Sequence, residues 1–211
     1  YADMTEHVIS LLRLYPELRE KVQSQFDFIF VDEYQDTSDS DHELLTLISG
    51  NKTGIFMVGD DCQSIYRFRG ARYEYIVNAK EYFPAAVIHK LTINYRSHSE
   101  IVDLSNRFIR NNRFRTGKKI VSATGSGGII RYHQSCGITD ESDIINVLLS
   151  GKGNDLSCAL LCRNNWQLDR LQLLLKDHAR KPAFLSMHSS KGLEFDMVII
   201  AGVDDKIIPD N

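Results

Sequence analysis

The sequence predicts an α/β fold in which parallel sheets are flanked by helices. Three observations lead there. Phe26-Asp27-Phe28-Ile29-Phe30-Val31 is a largely apolar run that meets two adjacent carboxylates, Asp32 and Glu33. Residues 55–58 repeat the arrangement and end in Gly59-Asp60-Asp61. Between and beyond these runs the apolar spacing switches to a helical period, and strands that alternate with helical patterns are the mark of βαβ units.

The elements follow in order. Residues 6–21 carry Val8, Leu11, Leu12 and Tyr15 at helical spacing, interrupted by Pro16. Residues 26–31 read as a strand apolar on both faces, hence buried in a parallel sheet. Residues 38–49 read as a helix, with Ser38 or Asp39 as N-cap ahead of Leu44, Leu45 and Ile48. A strand at 55–58, a helix at 73–82 and an alternating strand at 87–93 come next. Over 99–111, Ile101, Leu104, Phe108 and Ile109 share one side of a helix. Gly125-Ser126-Gly127-Gly128 marks a turn. Further strands are expected at 129–132, 159–162 and 197–201, and helices at 140–149 and 166–177.

The carboxyl edge of an open parallel sheet is where such folds bind ligands, so Asp32 and Glu33 are the first candidates. At that place in a phosphate-loop NTPase one acid holds Mg²⁺ and a second orients the attacking water. The plainer alternative is a buried strand followed by an acidic helix cap. Gln63 follows the second acidic turn, where a neutral amide can report the state of a terminal phosphate without adding charge. Tyr66 and Phe68 lie two apart with Arg67 and Arg69 interleaved, a pattern suited to stacking on bases with phosphate contact alongside. An ordinary core aromatic is the alternative for Phe68.

Four segments occur in a telling order. They are Val31-Asp32-Glu33-Tyr34-Gln35-Asp36-Thr37, residues 58–71, Leu91-Thr92-Ile93-Asn94-Tyr95-Arg96-Ser97 and His188-Ser189-Ser190-Lys191-Gly192-Leu193-Glu194-Phe195. They resemble motifs II, III, IV and V of the UvrD/Rep-like superfamily 1 DNA helicases, over nearly the whole chain from about Tyr1 to Pro209. The resemblance implies parts of two RecA-like P-loop NTPase domains, residues 1–93 and 94–211, with ATP between them. It implies that Asp32 coordinates Mg²⁺ and that Glu33 positions or deprotonates the attacking water. It implies that Gln63 contacts the γ-phosphate, Tyr95 stacks on adenine, Arg96 reaches the γ-phosphate and Glu194 contacts the ribose. Tyr66, Phe68 and His188 would meet single-stranded DNA, with Ser189, Ser190 and Lys191 as phosphate contacts. Two positions depart from the pattern: Phe68 stands where family members often carry Trp, and Cys62 replaces one acid of the usual triplet.

Absences complete that picture. No G-x-x-x-x-G-K-[ST] loop occurs; Gly50-Asn51-Lys52-Thr53 and Thr116-Gly117-Lys118-Lys119 both fail the pattern. Family members carry that loop ahead of motif II and a further arginine in motif VI, and neither is found here. Residues 159–165 resemble motif IVa, and the accessory insertion of large family members is missing near 176–183. The chain is therefore expected to be a piece of a longer protein and, on its own, to hydrolyse ATP poorly or not at all.

At 211 residues, 43% hydrophobic and 25% charged, the chain has room for one large or two small domains. It has no apolar run of membrane-spanning length and no secretory leader pattern, so a cytoplasmic protein is expected. The four cysteines, Cys62, Cys136, Cys158 and Cys162, show neither disulfide nor zinc spacing and read as thiols. A formal charge of −3 does not advertise nucleic-acid binding. However, Arg107, Arg110, Arg113, Arg115, Lys118 and Lys119 cluster with Phe108 and Phe114, either as a phosphate-contacting patch or as a solvated helix end.

The reading that results is a fragment of an ATP-dependent 3′–5′ DNA helicase or translocase. Its partners would be ATP with Mg²⁺, single-stranded DNA or a duplex with a single-stranded tail, and accessory repair or recombination proteins. One alternative is a non-catalytic DNA-binding or partner-docking module with a helicase-like fold. Another is a metal-dependent nuclease built on Asp32, Glu33, Asp36, Asp60 and Asp61, for which the sequence offers no accompanying His or Lys.

Overall fold

The computed structural model describes residues 2–112, 115–151 and 155–204, which fall into two compact units, Tyr1–Ile130 and Arg131–Asn211. Arg113 and Phe114 of the basic cluster, and the segment around Pro209, lie outside the described residues.

The first unit begins with α1 (Ala2–Leu14) and α2 (Pro16–Gln23). The break falls at Tyr15, which is extended at φ −118° and ψ 88° because the following proline disfavours helical geometry there. Pro16 then opens α2, where its missing N–H is no loss. Next come β1 (Phe28–Val31), α3 (Asp39–Ile48) and β2 (Gly54–Met57). β1 and β2 pair in parallel, Phe28 with Gly54 through Val31 with Met57, and α3 makes the crossover that parallel pairing requires. Ser38 caps α3: its hydroxyl accepts from the Asp41 N–H at 3.2 Å while the Asp41 carboxylate accepts from the Ser38 N–H at 3.1 Å.

One face of this sheet packs Ile29, Val31, Ile55 and Met57 against buried Tyr34, Leu45 and Tyr75. The other face departs from expectation. Phe28, Phe30 and Phe56 are 67%, 74% and 59% exposed, their rings 6.4 and 5.8 Å apart in succession. β1 is thus half-buried, because among the described residues nothing covers its second face.

α4 (Glu74–Val77) and α5 (Ala79–Tyr82) replace the single helix expected at 73–82. Asn78 divides them with φ −105° and ψ 30°, outside the helical region. β3 (Ile93–Asn94), α6 (Ser99–Ile109) and β4 (Val121–Ser122) complete the unit, β3 and β4 pairing in parallel. The strand expected at 87–93 therefore shrinks to its end. Alternation alone makes no strand without a neighbour to bond, and Val87 and Leu91 remain exposed. No strand forms at 129–132 either: the chain there leaves a turn whose Gly127 and Gly128 N–H groups donate to the Glu100 carboxylate, Gly128 at 3.0 Å.

The second unit contains α7 (Ile138–Leu149), β5 (Cys158–Cys162), α8 (Asn165–Leu174), β6 (Ala183–Ser186) and β7 (Met197–Ile200). All three strands are parallel in the order β6-β5-β7. Central β5 is the most buried, and Leu160 and Cys162 meet Ile145, Leu149, Leu168 and Leu171 in one core. Cys158 and Cys162, four apart on a strand, share its core face, and all four cysteines are free thiols. β6 and β4 had no sequence signal strong enough to announce them. Among the described residues no helix is long and apolar enough to cross a membrane.

Leu171 is fully buried, so Leu171→Ala is expected to destabilise the second unit by about 3 kcal/mol through lost transfer energy and a residual cavity. Urea unfolding followed by Trp166, the single tryptophan, should show a lower midpoint with an unchanged slope.

Candidate functional site

The parallel register brings two acidic turns to one edge of the β1–β2 sheet. Val58 N–H donates to the Val31 carbonyl at 2.8 Å and Tyr34 N–H to the Val58 carbonyl at 2.9 Å, so the chain leaving β1 stays bonded to the chain leaving β2. Asp32 and Glu33 are both exposed there, and an Asp32 oxygen accepts the Glu33 N–H at 2.8 Å. Glu33 has φ 51° and ψ 40°, the one non-glycine residue with positive φ among those described. A left-handed conformation costs an ordinary residue about 1–2 kcal/mol, so the surroundings must impose it. They do so through the next two side chains. Tyr34 is buried with its hydroxyl 3.1 Å from His42 Nδ1, and burial, followed by the nearby Tyr82, pushes its pKa up to about 12.

Gln35 is completely buried and bonds in two directions. Its amide nitrogen donates to the Glu33 carboxylate, and its amide oxygen accepts the Asp60 N–H at 2.8 Å. One carboxamide thereby joins the two acidic turns. Gly59 is required for that approach: a β-carbon there would lie 2.5 Å from the Gln35 oxygen and 2.7 Å from the Ile76 side chain. Gln35 is missed from sequence alone, although a polar amide inside an acidic turn directly after an apolar strand is a signal for it.

The second turn is held by a lysine. Asp60 Oδ1 accepts from Lys118 Nζ at 2.6 Å and from the Cys62 N–H at 3.0 Å, while Asp60 Oδ2 accepts from Gln63 Nε2 at 2.9 Å. Asp61, 5% exposed, accepts the Thr116 N–H at 2.7 Å, the Thr116 hydroxyl at 3.1 Å and Lys118 Nζ at 3.1 Å. Burial works against the Asp60 charge, but hydrogen bonds from Lys118 and Gln63 and the lysine's charge outweigh it, so its pKa falls below the ordinary carboxylate value. Burial likewise opposes the Lys118 charge, yet the two carboxylates raise its pKa overall. Lys118 therefore does not join a solvent-facing basic patch. It supplies the partner that the sequence reading found missing beside these acids.

Asp60, Asp61 and Cys62 place potential metal-ligating atoms within 4.8 Å of one another, but the Lys118 ammonium occupies the same neighbourhood. Asp32, an exposed carboxylate at the mouth of the sheet, has the hard oxygen chemistry that Mg²⁺ prefers.

Tyr66 and Phe68 meet edge to face with ring centres 6.1 Å apart, and the Arg69 guanidinium lies 5.1 and 5.5 Å from their centroids. The interleaved aromatic and cationic residues thus form one cluster, with Phe68 67% exposed. Beyond β3, the Asn94 side-chain oxygen accepts the Arg96 N–H at 2.9 Å and the Ser97 N–H at 2.7 Å. This turn carries exposed Tyr95 and Arg96.

In the second unit, His188, Ser189 and Lys191 follow β6 in a turn. Ser189 N–H donates to the Ser186 hydroxyl at 3.1 Å, and Met187 N–H to the Cys162 carbonyl at 2.9 Å. Arg163 Nη1 lies 3.3 Å from His188 Nδ1; a guanidinium can only donate, so Nδ1 accepts and any proton on a neutral ring sits on Nε2. Arg163 escaped the sequence reading. Glu194 is exposed at the far end of the turn.

The family model of the UvrD/REP helicase N-terminal domain matches residues 1–84, and that of the UvrD-like helicase C-terminal domain matches 89–180 and 175–211. The chain belongs to the UvrD/Rep helicase family. Among curated relatives of this UvrD/Rep chain, "ATP-dependent DNA helicase Rep" of Salmonella typhimurium is 40% identical over 121 residues, 57% of this chain and 18% of that protein. "ATP-dependent DNA helicase PcrA" of Leuconostoc citreum is 34% identical over 145 residues, 69% and 19%. "Probable DNA helicase II homolog" of Mycoplasma capricolum is 32% identical over 146 residues, 69% and 20%. This UvrD/Rep chain thus spans about a fifth of the length of these relatives.

Two predictions follow from the geometry. Gln35→Leu removes the link between the acidic turns and strands the Asp60 N–H, and should lower first-unit stability by about 1–3 kcal/mol in chemical denaturation. The depressed Asp60 pKa means that the unfolded chain takes up this proton first, near pH 4. Its stabilisation is complete above that pH and is lost as pH falls through the lower folded value. Asp60→Asn should flatten the decline of stability below about pH 4 in urea titrations run from pH 7 to pH 3.

Proposed function

We propose that this chain is part of an ATP-dependent DNA helicase that couples Mg-ATP hydrolysis to 3′–5′ movement on single-stranded DNA. The observation that carries the reading is the acidic sheet edge, where exposed Asp32 and Glu33 lie on a turn tied by Gln35 to the turn that bears Gln63. The printed names of the relatives, ATP-dependent DNA helicases, support the same reading.

Phosphoryl transfer asks a protein mainly to position groups and neutralise charge. Bound Mg²⁺ would supply charge neutralisation on the phosphates, and Asp32 is the residue to hold it. Glu33 orients the attacking water and accepts its proton. Gln63 meets the terminal phosphate, and Arg96 donates to the oxygens that gain charge as the bond breaks. Tyr95 stacks on adenine, and Glu194 accepts from the ribose hydroxyls. Tyr66 and Phe68 stack on bases, while His188, Ser189 and Lys191 contact the DNA backbone. Residues 1–93 and 94–211 are taken as portions of two RecA-like domains. A cytoplasmic setting and accessory repair or recombination proteins complete the proposal.

The test is DNA-stimulated ATP hydrolysis by the full-length polypeptide, with strand displacement on duplexes carrying 3′ or 5′ tails. Arg96→Ala should lower kcat about 10³-fold or more, with Glu33→Gln also strongly impaired. Displacement should require the 3′ tail. Salt-sensitive DNA binding that ignores ATP, with no turnover, would instead favour the non-catalytic docking module.

A further inference from the structure

We propose that Lys118 is a positioning residue for the phosphate chemistry: by holding Asp60 it fixes the Gln63 carboxamide. The inference rests on the helicase reading for the identity of the phosphate, but its geometry stands apart from that reading.

Lys118 presents one compact ammonium to two adjacent carboxylates, 2.6 Å from Asp60 and 3.1 Å from Asp61. Its side chain is 14% exposed, so solvent screens the charges little. Asp60 divides its two oxygens: Oδ1 faces Lys118 and Oδ2 takes the Gln63 amide at 2.9 Å. An amide is planar, so a hydrogen bond through its nitrogen also sets where its oxygen points. Lys118, together with the Cys62 N–H on the same Oδ1, therefore sets which Asp60 oxygen meets Gln63 and holds it there. Were the ammonium absent, Asp60 and buried Asp61 would repel, and the 61–63 turn would lose the charge that keeps both acids in place.

The lysine also reaches the second phosphate-contacting segment through its own chain. Thr116, two residues earlier, bonds Asp61 twice. Three residues later Val121 N–H donates to the Thr92 carbonyl at 2.8 Å, and Ala123 N–H donates to the Asn94 carbonyl at 2.8 Å. Those bonds hold β4 beside β3, whose next residues are Tyr95 and Arg96. One short stretch, residues 116–123, thus contacts both the turn bearing Gln63 and the strand leading to Arg96.

The experiment uses the full-length polypeptide with Lys118→Met, which removes the charge and keeps the volume, and Lys118→Arg, which keeps the charge. Hydrogen exchange by mass spectrometry reads the peptide covering residues 60–66 independently of activity. ATP turnover is measured for each variant alone and combined with Gln63→Ala. Lys118→Met is expected to speed exchange in that peptide about tenfold and to lower kcat about tenfold, with KM for ATP within about twofold. Its effect on kcat should largely vanish in the Gln63→Ala background, because both changes disable one unit. Lys118→Arg should recover most of both properties. If Lys118→Met does not fold, Lys118→Met with Asp61→Asn removes the uncompensated charge and is read in the same way. Unchanged exchange at 60–66, or a kcat loss that simply adds to that of Gln63→Ala, would overturn the proposal. Absence of ATP turnover in the wild-type protein would sink the helicase reading instead, and exchange would still decide whether Lys118 holds the turn.

Discussion

Everything at the acidic edge depends on keeping two parallel strand ends together after the sheet ladder has stopped. The last ladder position pairs Val31 with Met57, and beyond it backbone bonding continues only briefly through Val58 and Tyr34. From there the buried Gln35 carboxamide takes over, joining the Glu33 carboxylate to the Asp60 N–H. An amide suits this task because it offers a donor and an acceptor at once and carries no charge to desolvate. The left-handed backbone of Glu33 is then a consequence of burying Tyr34 and Gln35 directly after a tight turn, with the Glu33 carboxylate held by the Gln35 amide.

Charge balance at the second turn follows a different logic. Two adjacent carboxylates could have been held by a divalent cation, but here an ammonium on a flexible stem lies between them. A lysine is a compact point charge with several donors, so it can serve both acids simultaneously. The consequence is a division of labour along one sheet edge. Asp60 and Asp61 share one ammonium and hold the turn together, whereas Asp32 stays exposed as a hard oxygen donor. A nuclease assembled from all five acids would need Asp60 and Asp61 for metal, and Lys118 competes with that use.

Much of this was legible in the chain itself. The strands after which Asp32 and Asp60 lie, the Ser38 cap and the aromatic pair at Tyr66 and Phe68 follow from short-range pattern and chemistry, and they appear where the residues placed them. What escaped was long-range or depended on neighbours. The strand expected at 87–93 had alternation but lacked a pairing partner along most of its length. β6 is short and moderately apolar, and it becomes a strand because β5 is there to bond it. Phe28 and Phe30 looked buried because apolar side chains state a preference, not a surrounding. Lys118 illustrates the same point: its arginine neighbours suggest a phosphate-contacting patch or a solvated helix end, and only a contact 58 residues away in sequence reveals its role. Gln35 and Arg163 likewise each have a partner outside any local window, Asp60 and His188.

The acids around Lys118 have one more effect, on oxidation chemistry. Cys62 lies beside them, and burial together with the charges of Asp61 and Asp60 pushes its thiol pKa up to about 11. Only the thiolate reacts readily with peroxides and disulfides, so the sulfur nearest the candidate site is kept in its inert form at neutral pH. Cys158 and Cys162 are shielded within the second core, which leaves Cys136 as the exposed thiol. An oxidant arriving from solvent therefore meets a sulfur on the second unit first. The turn owes this redox tolerance first to burial of the sulfur and then to the charges of Asp61 and Asp60, with Lys118 pulling the other way.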